Sequence, residues 1–456
     1  MNPPGNGKTF AEFWQAAVAS GRQRPALVFP AGEISWQGLD EAAQRWLPGT
    51  ATYDNARVGL RFSATADALA ALQLLEASHA ATILLDATAD TTASQALANS
   101  LGCQLWLDPD LGPGSEIELT PPHSNAQSQL TAGPTVGVVT SGTTGTPKVV
   151  WHTWRSLFGP TRSASAPSPP RWFMSYRPNL YAGLQVLVQT IRDAGTLVVP
   201  PDTNDPEELA EFAARCQVTH ASGTPAFWRR WTTFAHRSTL SHIPLQQITL
   251  GGEAVDQGLL DRLAELFPAA RLTHIYATTE AGRCFAVSDG RAGFPATWLT
   301  TPPAGIELRV EEGELWVRPS HGGRLAGPLA DTQPDDGWLA TGDLVRADGD
   351  RLVFDGRRVE MINVGGYKVS PLKVESIVRS VNGVSEARVY PISSSLAGQL
   401  VACDLVVAPN VDPDSVRHAV QQACQAQLAR PELPRLLRVV DQIATANSGK
   451  IIRRAD

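Results

Sequence analysis

Apolar and polar positions follow helix-like and strand-like spacings in alternation over most of the chain. Residues 10–17 repeat apolar side chains at the period of a helix, whereas residues 81–85 form a short apolar run that predicts a buried strand, closed by Asp86. The same reasoning predicts further strands at 136–139, 196–199, 218–221 and 247–250, and helices at 206–216 and 258–266. Such alternation predicts a layered α/β fold.

The pattern becomes strand-rich between residues 305 and 354, and it breaks near Asp355. The remaining tail has the size of a small domain, with strands predicted at 386–390 and 401–407 and a helix at 412–429. We therefore expect an N-terminal core domain over 1–355, in which layered α/β subdomains are joined by a strand-rich subdomain. A small mobile α+β domain over 356–456 should follow it. Loops are predicted at 108–134 and 159–170.

Composition excludes several classes of protein. The net charge is −7 and no basic run stands out, so nucleic acid is an unexpected partner. No apolar run is long enough to span a membrane, and the first residues lack the apolar core of a signal peptide. Five scattered cysteines without metal-binding spacing indicate reduced thiols in a cytoplasmic protein.

A loop rich in glycine and hydroxyl groups follows the predicted strand at 136–139. Glycines let the backbone approach a ligand closely, while hydroxyls and Lys148 offer donors to phosphate oxygens. The loop is not a Walker A loop, because Val149 follows the lysine where that motif needs serine or threonine. A flexible linker is the alternative. The residues that would grip phosphate are Thr140, Ser141, Gly142, Thr143, Thr144, Gly145 and Lys148.

This loop resembles the phosphate-gripping signature of the adenylate-forming superfamily, which includes acyl-CoA synthetases, nonribosomal adenylation domains and beetle luciferases. Further segments resemble that superfamily in the same order, so the resemblance covers nearly the whole chain. Each of them alone also fits a turn, a helix cap, a linker or a basic tail. They are Gly251-Gly252-Glu253, Tyr276-Ala277-Thr278-Thr279-Glu280, Thr341-Gly342-Asp343, the stretch 356–371, and the stretch 447–454 around Lys450.

The resemblance implies a role for each segment in binding ATP. Gly251, Gly252 and Glu253 would pass along the adenine edge, and Tyr276 would stack on the purine beside Ala277 and Thr278. Asp343 would accept both ribose hydroxyls, and Arg357 would contact ribose and phosphate.

The resemblance also implies the chemistry. Glu280 would bind Mg²⁺, and Lys450 would offset negative charge on the carboxylate and α-phosphate as pyrophosphate departs; Thr279 belongs to the same catalytic set. Gly365, Gly366 and Tyr367 would line the thiol tunnel, while Val359 occupies the pivot where relatives carry Asp or Lys. The small domain would rotate between the two half-reactions.

The implied reaction converts a small carboxylic acid and ATP into an acyl-adenylate and pyrophosphate, and then into a thioester with CoA. Loading of a carrier-protein phosphopantetheine is an alternative, and a catalytically silent nucleotide-binding regulator is an alternative of another class. No acidic residue lies between Trp172 and Gly183 to pair with a substrate ammonium, so we expect an aryl or acyl acid. The candidate contacts to the acid are Asn179, Leu180, Tyr181, Gly183 and Gly223.

Overall fold

The computed structural model describes residues 9–47, 52–120, 135–141, 147–159, 161, 168–319, 337–395, 397–446 and 448–453. The elements of the first third, in chain order, are α1 Phe10–Gly21, β1 Pro25–Phe29, β2 Gly32–Ser35, α2 Trp36–Trp46, β3 Arg57–Phe62, α3 Ala66–Ala77, β4 Ala81–Asp86, α4 Thr91–Ser100, β5 Leu105–Leu107, β6 Ile117–Glu118, β7 Thr135–Ser141, β8 Pro147–Thr153 and α5 Trp154–Phe158.

The middle of the chain continues the alternation of strand and helix. Its elements are β9 Arg171–Met174, α6 Tyr181–Arg192, β10 Thr196–Val198, α7 Pro206–Arg215, β11 His220–Gly223, α8 Pro225–Phe234, α9 Arg237–Leu240, β12 Gln247–Gly251, α10 Gln257–Leu266, β13 Arg271–Thr278, β14 Gly282–Val287 and β15 Phe294–Pro295.

The final third contains most of the antiparallel structure. Its elements are β16 Ile306–Glu311, β17 Glu314–Pro319, β18 Leu339–Asp348, β19 Arg351–Arg357, β20 Ile362–Val364, β21 Tyr367–Val369, α11 Pro371–Arg379, β22 Val384–Ser394, β23 Gly398–Val407, α12 Pro413–Gln427 and β24 Leu436–Val439.

The predicted α/β fold is confirmed, and the described strands form four sheets. An eight-stranded sheet has the order β14-β13-β12-β11-β9-β10-β1-β2 and is parallel from β13 to β1. A six-stranded sheet, β6-β5-β3-β4-β7-β8, is parallel at its centre. Antiparallel β15-β19-β18-β17-β16 form the third sheet, and β20 to β24 form the fourth.

In the eight-stranded sheet the strand order reverses at β9. The chain leaves β9 through α6 to β10 on one side, then crosses back through α7 to β11 on the other. Open parallel sheets bind ligands beyond the carboxyl ends of their strands at such a switch point. The residues that follow β9, β11 and β12 are therefore placed where a site is expected.

Apolar burial holds the layers together. One core is shared between the two α/β sheets and includes Trp14, Trp36 and Trp46, each about 1% exposed or less. A second core lies beneath α8, where Trp228 and Trp231 are buried. Each fully buried large side chain stabilises the fold by roughly 1.5–3 kcal/mol.

Element boundaries differ from the sequence prediction by a few residues. The strand predicted at 218–221 begins at His220, because Gln217 adopts a left-handed backbone conformation with φ 51° that ends the preceding helical segment. Within the predicted loop at 108–134, a short 3₁₀ helix, Pro109–Leu111, and strand β6 are present. The domain boundary at 355/356 stays a prediction. Among the described residues, no helix is long and apolar enough to cross a membrane.

Candidate functional site

A cavity of about 180 Å³ opens beyond the carboxyl ends of β12 and β13. Three regions that are far apart in the sequence line it: the edge of the eight-stranded sheet, the β18–β19 pair, and the last described segment of the chain. Among the lining residues are Gly252, Glu253, Tyr276, Ala277, Asp343, Gly356, Arg357, Glu360, Lys450, Ile451 and Arg453. The structure thus brings together predicted residues from five of the sequence motifs.

Asp343 lies between two donors in this cavity. The Tyr276 hydroxyl donates to its Oδ2 at 2.6 Å, and the Arg357 Nε donates to its Oδ1 at 3.0 Å. Asp343 and Arg357 face each other in register on β18 and β19. Burial, reinforced by the Asp343 charge, raises the pKa of Tyr276 well above its ordinary value, so its hydroxyl stays a donor. Each Asp343 oxygen still has acceptor capacity for a ligand hydroxyl.

Tyr276 is also held through its ring. The ring lies nearly parallel to those of Phe285 and Phe354, with centroids 5.1 and 4.9 Å away. Both partners are part of the core of the third sheet. The position of the tyrosine is therefore fixed by packing as well as by its hydrogen bond to Asp343.

Lys450 reaches the cavity from the C-terminal segment. A Cβ placed on Gly252 would lie 3.3 Å from the lysine Cε, so the glycine leaves room for this side chain. Gly252 also has φ 88°, a conformation that only glycine adopts without strain. Removal from water, followed by the nearby Arg357 charge, lowers the pKa of Lys450, while the Glu253 and Asp343 charges oppose that shift.

The loop that carries Lys450 is a short hairpin-like turn. Thr445 and Ile451 form an isolated bridge, and the Ala446 amide donates to the Lys450 carbonyl at 2.8 Å. Core side chains hold both neighbours of the lysine. The Thr224 hydroxyl donates to the Gly449 carbonyl at 3.0 Å, and Glu253 Oε1 accepts from the Ile451 amide at 2.9 Å.

Arg453 anchors the same segment from the other side. Its guanidinium bonds both oxygens of Glu375 at 2.8 and 2.9 Å. Glu375 is 0% exposed and also pairs with Arg379 at 2.9 Å. Burial alone would raise the pKa of Glu375, but the two guanidinium charges outweigh it and hold that pKa below its ordinary value. The sequence does not predict that Glu375 is buried, because a glutamate four residues before an arginine on a helix, as in Glu375 and Arg379, is typical of an exposed ion pair.

The phosphate-loop prediction falls mostly outside the described residues. Gly142, Thr143, Thr144 and Gly145 lie there, whereas Thr140 and Lys148 face each other in register on β7 and β8. Ser141 ends β7. Neither Thr140 nor Lys148 lines the 180 Å³ cavity.

The segment predicted to contact the acid connects β9 to α6. Asn179 is buried, Leu180 occupies the N-cap of α6, and the Tyr181 ring lies 5.1 Å from the ring of His152. Arg177 pairs with Asp86 at the end of β4 and donates to Thr88 at 2.8 Å. It therefore links the two α/β sheets.

The two glycines assigned to the acid pocket have packing roles. A Cβ on Gly183 would lie 2.1 Å from the Arg177 carbonyl oxygen, and one on Gly223 would lie 2.4 Å from the Phe227 ring. Real Cβ atoms do not approach this closely, so close packing favours glycine at both positions, against the backbone of Arg177 at Gly183 and against the ring of Phe227 at Gly223.

The turn at 278–281 and the hinge region have local structural explanations as well. The Ala281 amide donates to the Thr278 hydroxyl at 2.9 Å, which shapes the turn that carries Thr279 and Glu280. Glu280 is half-buried, and no group of three metal-ligating side chains occurs among the described residues.

Gly365 and Gly366, with φ 58° and 92°, form the tight turn of the β20–β21 hairpin. Val359 is 75% exposed and Tyr367 is 45% exposed.

Comparison with known proteins agrees with this architecture. Residues 49–325 match the AMP-binding enzyme family, and residues 373–450 match the AMP-binding enzyme C-terminal domain. The first match covers more than half of the chain, so the chain belongs to the AMP-binding enzyme family. The resemblance to the adenylate-forming superfamily is confirmed.

Individual relatives are more distant. A fatty acid–[acyl-carrier-protein] ligase from Streptomyces coeruleorubidus is 28% identical over 70% of this chain and 66% of its own length. The chain spans less than two thirds of the curated relatives that it matches first.

Two solved structures show the same fold. An anthranilate CoA ligase in complex with anthranoyl-AMP has a TM-score of 0.79 and 16% identity, and covers 97% of this chain and 95% of its own. An O-succinylbenzoate CoA synthetase from Bacillus subtilis, with ATP and magnesium ion, has a TM-score of 0.71 and 19% identity, and covers 97% and 98%.

Proposed function

We propose that this protein activates a carboxylic acid with ATP, releases pyrophosphate, and transfers the acyl group from the acyl-adenylate to the thiol of CoA. The observation that carries the proposal is the meeting of Lys450 with Tyr276, Asp343 and Arg357 in one cavity. The lysine lies about a hundred residues from the nearest of the others, so the shared cavity is a property of the fold.

In the first half-reaction, a carboxylate oxygen attacks the α-phosphorus and the bond to the β-phosphate oxygen breaks. Two anions must approach each other, so catalysis depends on positioning and charge neutralisation. Lys450 supplies positive charge at the carboxylate and α-phosphate. Asp343 receives the ribose hydroxyls while Tyr276 and Arg357 keep its oxygens in place.

In the second half-reaction, the thiol sulfur attacks the acyl carbon, the carbon–oxygen bond to AMP breaks, and the thiol proton is released. We propose that residues 356–456 rotate about the segment near Val359 between the two steps. The β20–β21 turn, with Gly365, Gly366 and Tyr367, would then line the thiol tunnel. The exposure of Val359 and Tyr367 supports this, because a pivot and a tunnel lip must be free of packing.

A single carboxylate, Glu280, fits the way in which proteins hold Mg²⁺ on nucleotides, where one or two carboxylates combine with phosphate oxygens. The ion would neutralise phosphate charge. We propose that Thr279, on the same turn as Glu280, belongs to the same catalytic set. We also propose that the phosphate loop binds the departing pyrophosphate through Thr140, Ser141, Gly142, Thr143, Thr144, Gly145 and Lys148. Glu280→Ala should abolish Mg²⁺-dependent turnover with an unchanged melting temperature; unchanged metal dependence would refute the assignment.

The acid is proposed to have an uncharged body. Arg177 is neutralised by Asp86, so it does not offer a free cation for a second carboxylate. No carboxylate lies between Trp172 and Gly183 to receive a substrate ammonium. We therefore expect an aryl or acyl monocarboxylic acid whose contacts include Asn179, Leu180 and Tyr181.

An ATP–pyrophosphate exchange screen over aryl, fatty and amino acids tests the proposal. Exchange with an aryl or fatty acid is expected, and an α-amino acid as best substrate would overturn the choice of acid. No exchange with any acid would favour the catalytically silent alternative.

The acceptor needs a separate assay. The relative named as an acyl-carrier-protein ligase favours carrier-protein phosphopantetheine as the second candidate, and competition between CoA and carrier proteins decides between them.

A cytoplasmic location is part of the proposal. All five cysteines are free and buried, as expected where thiols stay reduced.

A further inference from the structure

The two residues that flank Lys450 are each bonded to a different core side chain. The Thr224 hydroxyl donates to the Gly449 carbonyl at 3.0 Å, and Glu253 Oε1 accepts from the Ile451 amide at 2.9 Å. The lysine itself is thus held at both of its peptide neighbours, while its side chain stays available to the cavity.

These core side chains lie close together because of the sheet. Thr224 follows β11 and Glu253 follows β12, and these strands are parallel neighbours with Gly223 in register with Leu250. Their carboxyl ends share one edge of the sheet. Side chains from both ends can therefore reach the same short loop.

The first turn of α8 fixes both side chains before the loop arrives. Thr224 is the N-cap of α8, where its oxygen accepts from the Phe227 amide at 3.1 Å, and it is 2% exposed. The second oxygen of Glu253 accepts from the Ala226 amide at 3.3 Å, where the positive end of the helix favours a carboxylate. Thr224 and Glu253 are therefore oriented by α8 independently of the loop that carries Lys450.

We propose that Thr224 and Glu253 form a two-point clamp that positions Lys450 for the first half-reaction and is released for the second. This inference rests on the proposed function. Both residues are positioning residues, acting through the backbone on either side of the lysine. Sequence reasoning had placed Glu253 at the adenine edge, which is a different role with different kinetic consequences.

The clamp predicts a split between the half-reactions. Glu253→Ala should lower the kcat of pyrophosphate exchange about 10- to 100-fold, the range expected for losing a hydrogen bond to a charged group, and should leave the KM for ATP unchanged. Thioester formation from a supplied acyl-adenylate should change less than twofold. A rise in the KM for ATP with constant kcat, or equal loss in both half-reactions, would overturn the proposal in favour of nucleotide contact.

Matched variants test whether the Thr224 hydroxyl is part of the clamp. Thr224→Ser keeps the hydroxyl, the helix cap and the bond to Gly449, so it should behave as the unaltered protein, whereas Thr224→Val should repeat the loss seen with Glu253→Ala. Glu253→Gln keeps one carbonyl acceptor and should fall between the two extremes. Equal activity of the serine and valine variants would remove Thr224 from the clamp.

A readout without catalysis tests the clamp on its own. In the ligand-free protein, hydrogen exchange of the peptide spanning 444–453 should speed up in Glu253→Ala, while exchange within α8 stays the same in Thr224→Ser. If no acid supports pyrophosphate exchange but this peptide still loses protection, the proposed function fails and the clamp stands. Unchanged exchange of the peptide would refute the clamp even in an active enzyme.

Discussion

The two walls of the cavity are stabilised in different ways. On the core wall, strand ends and the first turn of a helix orient the polar side chains, as Thr224 and Glu253 show. Behind the C-terminal wall, two carboxylates that are 0% and 1% exposed, Glu375 and Asp404, are surrounded by guanidinium groups. The arginines that pair with them are Arg379, Arg388, Arg438 and Arg453.

This difference has a physical consequence. Backbone amides at a helix terminus are fixed by the helix itself, so the loss of one side chain on the core wall should lower the stability of the fold less than the loss of a buried ion-pair partner does. A buried ion pair needs both partners, because removing one leaves an uncompensated charge. The C-terminal wall also holds the lysine loop, since Arg453 bonds Glu375 and Arg388 donates to the Ile452 carbonyl at 3.4 Å. We therefore expect single substitutions behind the wall that carries Lys450 to lower stability more than substitutions on the core wall.

The largest effect is expected from Glu375→Ala. It leaves Arg379 and Arg453 without their buried partner and should destabilise the C-terminal region by about 3–5 kcal/mol. Thermal and urea unfolding measure the loss. The matched control is Arg417→Ala, which breaks the exposed pair with Asp414 and should cost less than about 1 kcal/mol. Similar losses of stability in the two variants would show that the buried ion pair contributes no more to stability than the exposed one.

Next in size is Lys450→Ala. Removing a charge placed at the reacting groups should slow acyl-adenylate formation about 10²- to 10³-fold. Thioester formation from a supplied acyl-adenylate should be spared, because the lysine is proposed to leave the site for that step. Single-turnover rates of the two half-reactions provide the measurement, and equal loss in both would refute the role.

A moderate effect is expected from pH through Glu386, at the contact between β22 and α8. It is 7% exposed. Burial raises its pKa to about 7, although Arg229, Arg379 and Arg230 oppose that shift and Glu253 adds to it. A raised pKa means that the contact is fully stable below the ordinary pKa of glutamate. It weakens as pH rises through about 7.

Hydrogen exchange of peptides from α8 and β22, corrected for intrinsic rates, should therefore increase between pH 6 and pH 8. Glu386→Gln cannot ionise and should abolish this dependence. The facing Arg229 is itself paired with Asp256, so the variant leaves that core pair intact. The same pH dependence in the glutamine variant would assign it to another group.

The smallest effects are expected from removing the hydroxyl of Tyr276 or of Tyr390. The first donates a hydrogen bond to Asp343 at the cavity, and the second donates one to Asp404 behind the C-terminal wall. Tyr276→Phe removes the hydrogen bond to Asp343 and should raise the KM for ATP about two- to tenfold with little change in melting temperature. Tyr390→Phe removes the 3.2 Å hydrogen bond to Asp404 and should lower the melting temperature with unchanged KM. If both variants affect the same quantity, the two walls do not differ in the way described.

Much of the fold could be predicted from the sequence, because buried parallel strands are apolar runs. The run at 136–139 lies within β7, and the run at 81–85 lies within β4. Several site residues could also be predicted, because Tyr276, Asp343 and Lys450 occur in recognisable motifs and do share a cavity.

Other features could not be predicted, since they depend on partners far away in the chain. Glu375 and Arg453 are 78 positions apart in the sequence, and each looks like an exposed residue until the fold brings them together. Gly183 and Gly223 are predicted to contact the acid, and the carbonyl and the ring that a Cβ would meet at these positions are a further reason for glycine that only the fold reveals. Composition carries no information about such close approaches.

The glycine beneath Lys450 makes the mutational tolerance of one position depend on another nearly two hundred residues away. Of the side chains that the structure describes, that of Lys450 comes nearest to a Cβ at Gly252, at 3.3 Å, with Thr224 next at 3.7 Å. A substitution at Gly252 therefore combines backbone strain, which is the same in every background, with a steric conflict that exists only while the lysine is present. The two positions form an epistatic pair, and a mutational scan in a single background would misjudge both.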